Sequence, residues 1–158
     1  MELAPFLMTR MTNSLDDFKI GIVSGYFNPI HYGHIEYIDG AKNNCDILIA
    51  IVNSDLQVFL KGSKRFMDEE HRRKIVSSLK SVDIAIISND QDKTQCATLI
   101  KIREMFPKNK LYFFNSGDRK QGNLVSAESE TCKAYNIFEI ILDLPKIYSS
   151  SDLLKNNL

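Results

Sequence analysis

The sequence predicts a single α/β domain of Rossmann-like type, in which helices cover both faces of a five-stranded, doubly wound parallel sheet. Short continuous apolar runs, typical of strands buried on both faces, alternate along the chain with segments of helical periodicity. This βαβ alternation implies right-handed crossovers between parallel strands. The 158 residues also suffice for one domain with a sizeable core.

The individual elements follow from local patterns in chain order. Predicted strands cover residues 19–24, 46–52, 83–88, 111–115 and 136–142, which are rich in apolar side chains. Helical patterns cover residues 35–43, a stretch that Asp68 can cap, residues 94–106 and residues 126–135. Pro107 ends the third of these helices, and the serines at 149–151 can begin a last one. Lys61 is predicted to lie in a loop that follows the second strand.

Cysteine content and hydropathy bear on the cellular setting. Cys45, Cys96 and Cys132 include no CxxC pair, and their odd number argues against a disulfide framework. No apolar run approaches the roughly 20 residues that a membrane-spanning helix needs. We therefore expect a protein of the reducing cytoplasm without a membrane partner. Residues 1–17 are interpreted as an N-terminal extension and residues 18–158 as the domain itself.

The charge pattern narrows the class of ligand. Twenty basic and twenty acidic residues give a formal net charge of zero, which argues against a nucleic-acid partner. Within this neutral chain, a local cluster of basic residues stands out: Lys61, Lys64, Arg65, Arg72, Arg73 and Lys74. A focused patch of this kind suits a small polyanion such as a nucleoside triphosphate.

Two histidines, His31 and His34, lie three residues apart with Gly33 between them, after the first predicted strand and before the first predicted helix. The free N–H groups and the dipole at a helix start favour an anion. Two imidazoles and a glycine that allows close backbone approach strengthen that preference. The stretch therefore predicts a phosphate site. The alternative is a pair of ordinary surface or packing histidines.

The string Gly25-Tyr26-Phe27-Asn28-Pro29-Ile30-His31-Tyr32-Gly33-His34 resembles the HxGH signature of the nucleotidyltransferase superfamily, in its cytidylyltransferase-like branch. That superfamily includes glycerol-3-phosphate cytidylyltransferase, heptose-1-phosphate adenylyltransferases and archaeal FAD synthetase. The resemblance implies transfer of CMP or AMP from CTP or ATP to a small sugar phosphate or polyol phosphate, with release of pyrophosphate. It extends over roughly residues 19–156.

The resemblance also implies roles for individual residues. It gives catalytic roles to His31, His34, Lys61 and Arg72, the last two as phosphate contacts, and an acceptor contact to Arg119. It gives nucleotide contacts to Gly25, Tyr26, Phe27, Asn28, Gly33, Gly117, Asp118, Ser149, Ser150 and Ser151. A solvated lysine, a turn at Gly117-Asp118 and a plain helix cap at the serines are the competing interpretations.

Such a transfer is an in-line attack of one phosphate on another, so the protein mainly positions anions and neutralises developing charge. Mg²⁺ is expected to bridge triphosphate oxygens, held mostly by substrate and water and not by protein ligands. The implied partners are a nucleoside triphosphate and a small phosphorylated acceptor, and the resemblance allows a homodimer.

Two alternatives remain open at this point. One is a nicotinamide mononucleotide or phosphopantetheine adenylyltransferase, of which the first is favoured by Asn28-Pro29. The other, from a different class, is a nucleotide-binding sensor without turnover. Pyrophosphate release distinguishes the enzymes from the sensor.

Overall fold

Five strands and five α-helices lie in residues 14–116 and 126–144, which are the residues described by the computed structural model. The strands are β1 (Ile20–Gly25), β2 (Ile47–Val52), β3 (Ile84–Ile87), β4 (Leu111–Ser116) and β5 (Ile137–Leu142). The helices are α1 (Tyr32–Lys42), α2 (Asp55–Lys61), α3 (Glu69–Ser77), α4 (Cys96–Met105) and α5 (Ala127–Ala134). No helix in these described ranges has both the length and the apolar character needed to cross a bilayer.

All five strands are parallel and form one sheet in the order β3-β2-β1-β4-β5. The predicted α/β Rossmann-like fold and its five strands are thus confirmed. β1 lies at the centre: the chain runs outward from β1 to β2 and β3, and then crosses back to β4 on the other side of β1. In sheets of this kind the crevice at such a switch point, beyond the carboxyl ends of the strands, is where ligands bind.

Two apolar layers hold the helices on the sheet. Helices α1 and α3 contribute Ile38, Ala41 and Val76 to the layer on one face. On the opposite face, α4 and α5 contribute the other layer, through residues such as Leu99 and Cys132. Strand β2 is buried along its whole length, as its continuous apolar run indicates, whereas β5 is an edge strand with Phe138, Ile140 and Ile141 exposed.

Helix α2 is a difference from the prediction, which placed Lys61 in a loop. Ser54 begins the helix as its N-cap: its side chain accepts from the backbone N–H of Gln57, while Gln57 Oε1 accepts from the backbone N–H of Ser54. Gly62 ends the helix with φ of +77°, a left-handed conformation that glycine adopts without strain. Lys61 is therefore the last residue of a capped helix.

A short 3-10 helix, Leu15–Asp17, precedes β1. The Asn109 side-chain amide donates hydrogen bonds to the carbonyls of Leu15 and Phe18, at 2.8 Å and 2.9 Å. The proposed boundary between extension and domain, at residues 17 and 18, thus falls within a segment attached to the start of β4.

Candidate active site

The candidate site lies where β1 ends and α1 begins, at the carboxyl edge of the sheet. Phe27 has φ of +49°, and its ring is buried and turns back over Gly25. A Cβ atom at Gly25 would lie 2.9 Å from Phe27 Cζ, so a side chain here would displace the ring. This folded-back loop carries the chain from the central strand into the two histidines.

The strands on either side of this edge separate beyond Ile22 and Phe113, the last pair in register between β1 and β4. The Tyr37 hydroxyl lies in the gap, where it accepts from the backbone N–H of Ser24 and donates to the carbonyl of Phe114. Tyr37 thereby satisfies backbone groups that the diverging strands leave unpaired. Tyr37 was not among the predicted site residues. The available signal was its position on α1, three residues after His34.

His31 and His34 form a reciprocal cap at the start of α1. His31 Nδ1 accepts from the backbone N–H of Gly33, and His34 Nδ1 accepts from the backbone N–H of His31, both at 3.1 Å. A neutral imidazole that accepts at Nδ1 carries its proton at Nε2. The backbone therefore holds both rings in the tautomer that offers an Nε2–H donor, with the rings stacked at a centroid distance of 3.8 Å.

His34 is held in its neutral form. Burial, together with the nearby His31 and Lys61, lowers the pKa of His34 from 6.5 to about 3. The Phe27 ring adds to this apolar environment with an edge contact at 5.0 Å between centroids. At neutral pH, His34 is accordingly a hydrogen-bond donor and not a proton carrier.

Lys61 is brought to the same place by α2. Its Nζ lies 4.3 Å from the centre of the Tyr26 ring, a cation–π distance. Its charge also contributes to the lowered pKa of His34. The structure thus brings together four of the predicted site residues: His31, His34, Lys61 and Tyr26.

The sequence predicts a phosphate contact for Arg72, whereas the structure directs its guanidinium into the protein. The Arg72 side chain is fully buried, and it donates four hydrogen bonds to the carbonyls of Met67, Tyr26 and Asn53 and the carboxylate of Asp55. Arg72 therefore binds the protein's own backbone. Its spacing of four residues from the buried Val76 on α3 was the available signal, since residues so spaced share a helix face.

The side chains of Phe27 and Asn28 also differ from their expected role as nucleotide contacts. Phe27 belongs to the core. The buried Asn28 amide donates to the carbonyl of Lys64 at 2.7 Å and accepts from the N–H of Phe66 at 2.9 Å. Both side chains are buried beneath the site. Gly33, another predicted nucleotide contact, donates its backbone N–H to His31 Nδ1.

The basic cluster of the sequence is not one surface patch. Arg65 pairs with Asp55, and Arg73 pairs with Glu70, each at 3.0 Å. Arg72 is buried, and Lys61 is the member of the cluster whose charge contributes to the lowered pKa of His34.

Six predicted contacts lie outside the described residues: Gly117, Asp118, Arg119, Ser149, Ser150 and Ser151. Their roles remain predictions. Within residues 14–116 and 126–144, no three His, Cys, Asp or Glu side chains gather as a metal site.

Comparisons with known proteins identify relatives of this chain. The chain is 29% identical over 139 residues to the bifunctional protein HldE of Nitrobacter hamburgensis, a match that covers 87% of this chain but 26% of that protein. It is 39% identical over 71 residues to the FAD synthase of Picrophilus torridus, covering 45% of this chain and 51% of the relative.

A solved structure with the same fold is a bifunctional NMN adenylyltransferase/ADP ribose pyrophosphatase from Francisella tularensis, complexed with AMP and a manganese ion. Its TM-score is 0.64 at 16% identity, and the match covers 88% of this chain and 41% of that one. The model of the family described as cytidylyltransferase-like matches residues 22–151, which include both histidines and every described element from α1 to β5. The chain therefore belongs to the cytidylyltransferase-like family.

Proposed function

We propose that this protein is a nucleotidyltransferase that moves CMP or AMP from CTP or ATP onto a small sugar phosphate or polyol phosphate and releases pyrophosphate. The observation that carries the proposal is the pair of imidazoles at the start of α1. Both have Nδ1 engaged by backbone N–H groups, so both offer Nε2–H as a donor. Fixed neutral donors at a helix start are suited to an anion that gains charge during reaction.

In the proposed reaction, an oxygen of the acceptor phosphate attacks the α-phosphorus, and the bond from that phosphorus to the bridging oxygen breaks. The electron pair leaves with pyrophosphate, so negative charge grows on the bridging and non-bridging oxygens. His31 and His34 would donate to those oxygens, and Lys61 would bind the triphosphate. No proton has to move through either histidine, which agrees with the low pKa of His34.

Mg²⁺ is proposed to enter as the triphosphate complex. The described residues near the imidazoles supply N–H and ammonium donors, which complement phosphate oxygens and do not ligate a hard cation. Triphosphate oxygens and water would accordingly hold the ion, which would neutralise phosphate charge. The Francisella tularensis structure contains AMP together with a manganese ion, which favours a divalent metal as a companion of the nucleotide.

The FAD synthase relative favours a second candidate, in which FMN is the acceptor and AMP is transferred to it. Its identity of 39% over 71 residues exceeds that of the HldE relative, although the match covers 45% of this chain. The two candidates share the chemistry at the α-phosphorus and differ in the acceptor. The Francisella tularensis enzyme similarly supports nicotinamide mononucleotide as an acceptor to test.

The test is a pyrophosphate-release assay with Mg²⁺, in which ATP, CTP, GTP and UTP are crossed with phosphorylated acceptors. The acceptors are glycerol-3-phosphate, a heptose-1-phosphate, nicotinamide mononucleotide, phosphopantetheine and FMN. Acceptor-dependent release is expected with one pair, and a His34→Ala variant prepared in parallel controls for contaminating hydrolases. Triphosphate binding without release from any pair would contradict the proposal and favour the nucleotide-binding sensor.

A further inference from the structure

An ion pair between the buried Arg72 and the partly exposed Asp55 lies beneath the candidate site and joins three chain segments. Arg72 Nη1 donates to the carbonyls of Tyr26 and Asn53 at 2.8 Å and 2.7 Å. Arg72 Nε donates to the carbonyl of Met67, and Nη2 donates to Asp55 Oδ1, both at 3.0 Å. Tyr26 directly follows β1 and Asn53 directly follows β2, so one guanidinium fixes the ends of two neighbouring strands.

Asp55 is the second centre of this network. It is the first residue of α2, and its backbone N–H donates to Glu69 Oε2 at 2.7 Å. Its Oδ2 accepts from Arg65 Nη1 at 3.0 Å, while Oδ1 accepts from Arg72. The start of α2 is thereby attached to α3 and to the loop that follows α2.

Because Arg72 is buried, the loss of any of these hydrogen bonds is costly. A guanidinium with no exposed surface needs partners for its donors, since an unpaired buried charge is strongly unfavourable. The planar fork of arginine matches several fixed acceptors at once, whereas a lysine ammonium is a single point charge. A small shift of α2 would break this set of bonds, so the network holds the helix in one place.

Both partners of the Lys61–Tyr26 contact depend on this guanidinium. Arg72 holds the carbonyl of Tyr26 directly, and it holds the first residue of the helix that ends in Lys61 through Asp55. From Asp55 to Lys61 the helix rises about 9 Å, so a tilt of about 6° would move Lys61 by about 1 Å. Misplacements of that size in an active site can cost on the order of a hundredfold in rate.

We propose that Arg72 and Asp55 are positioning residues that set Lys61 against the β1 loop and its histidines. The catalytic consequence rests on the proposed function, whereas the structural consequence does not. The inference has two parts: the network restrains residues 54–67, and this restraint acts on turnover through Lys61.

The first test is hydrogen–deuterium exchange of Arg72→Lys and Asp55→Asn, with Arg73→Lys as the matched control. Arg73 is the neighbouring arginine on α3 and pairs only with Glu70 among the described contacts. The first two variants should raise exchange at least severalfold in residues 54–67 and leave α4 unchanged. Uniform loss of protection, or no change in residues 54–67, would overturn the proposal without reference to activity.

The second test is a double-mutant cycle with Lys61→Ala, read as kcat/KM for the triphosphate in the reaction that the pyrophosphate assay identifies. Arg72→Lys should lower this value about tenfold in the wild-type background and less than twofold when Lys61 is already absent. Equal factors in both backgrounds would show that Arg72 does not act through Lys61. If the wild-type protein lacks turnover, the proposed function fails on its own assay and the exchange experiment alone decides the restraint.

Discussion

Each histidine of the candidate site has two separate tasks, one for each ring nitrogen. Nδ1 caps α1 by accepting a backbone N–H, and this bond dictates that the neutral ring carries its proton on Nε2. The same contacts that begin the helix therefore leave two Nε2–H donors, which we propose act on a phosphate. An aspartate would cap the helix equally well, but its ionised carboxylate has no proton to donate.

The residue-scale prediction concerns His34→Ala. Removing one fixed donor to transition-state charge should lower turnover by about two orders of magnitude or more. The affinity for nucleotide should change much less, because the donor is proposed to act mainly on charge that develops during transfer. Steady-state kinetics and calorimetric titration of the triphosphate measure the two effects.

His71→Ala is the matched control for this experiment. The His71 side chain is 70% exposed and lies on α3 with its ring near Asp68, so its loss should leave turnover unchanged. Near-wild-type turnover in His34→Ala would exclude the proposed role of the imidazole.

At the residue scale, the pattern of the sequence predicted that His31 and His34 lie together at the start of α1, but not the partners of Arg72. Gly33 between two histidines after an apolar run is a local pattern, so it can be read without the fold. The acceptors of Arg72 include Tyr26, which is 46 positions away in the chain. Only the packing of β1, β2 and α3 brings these groups together, and no local pattern contains that information.

At the scale of elements, the inner strands were predictable because burial on both faces requires continuous apolar runs. Helix α2 was not predicted because its apolar side chains do not mark a core face: Phe59 is 78% exposed and Leu60 is 41% exposed. The signals that could have found it are the capping pair Ser54 and Gln57 and the terminal Gly62.

The element-scale prediction concerns the end of α2. Gly62→Ala should lower the free energy of unfolding by about 1 kcal/mol, because an L side chain is disfavoured at φ of +77°. No atom lies within 4 Å of the added Cβ, so the cost arises from the backbone and not from a clash. Urea unfolding followed by circular dichroism provides the measurement.

Gly40→Ala is the matched control within α1. An added Cβ there would lie 3.5 Å from Leu144 Cδ2, an ordinary contact distance. Since glycine inside a helix is disfavoured relative to alanine by about 0.5–1 kcal/mol, this variant should be neutral or more stable. Equal stability losses in both variants would contradict the argument from the left-handed cap.

At the scale of the whole molecule, the doubly wound topology explains why distant segments form one site. The carboxyl ends of β1 and β2 lie side by side. The loop from β1 to α1 and the loop from β2 to α2 therefore lie at the same edge of the sheet. The alternation of strands and helices predicts this edge in general terms. The pairing of Arg72 with backbone carbonyls at the edge depends on the assembled sheet.

The prediction at this scale is a loss of stability in mild acid that is specific to His34. The pKa of His34 is about 3 in the folded protein, whereas the usual histidine value of 6.5 applies to the unfolded chain. Between those values the unfolded chain binds the proton and the folded protein does not, so unfolding becomes easier as pH falls below 6.5. The contribution of one such group approaches about 1.4 kcal/mol per pH unit within this window.

Carboxylates also titrate in acid, so the measurement is a comparison of two proteins. Free energies of unfolding in urea would be determined from pH 7.5 down to pH 4.5 for the wild type and for His34→Gln, in which an amide oxygen can still accept the N–H of His31. Because the variant lacks the titrating ring, its stability should fall less steeply below pH 6.5, and the difference between the curves should widen towards pH 4.5. His71→Gln should follow the wild-type curve, and parallel curves for wild type and His34→Gln would mean that His34 is not held neutral by the fold.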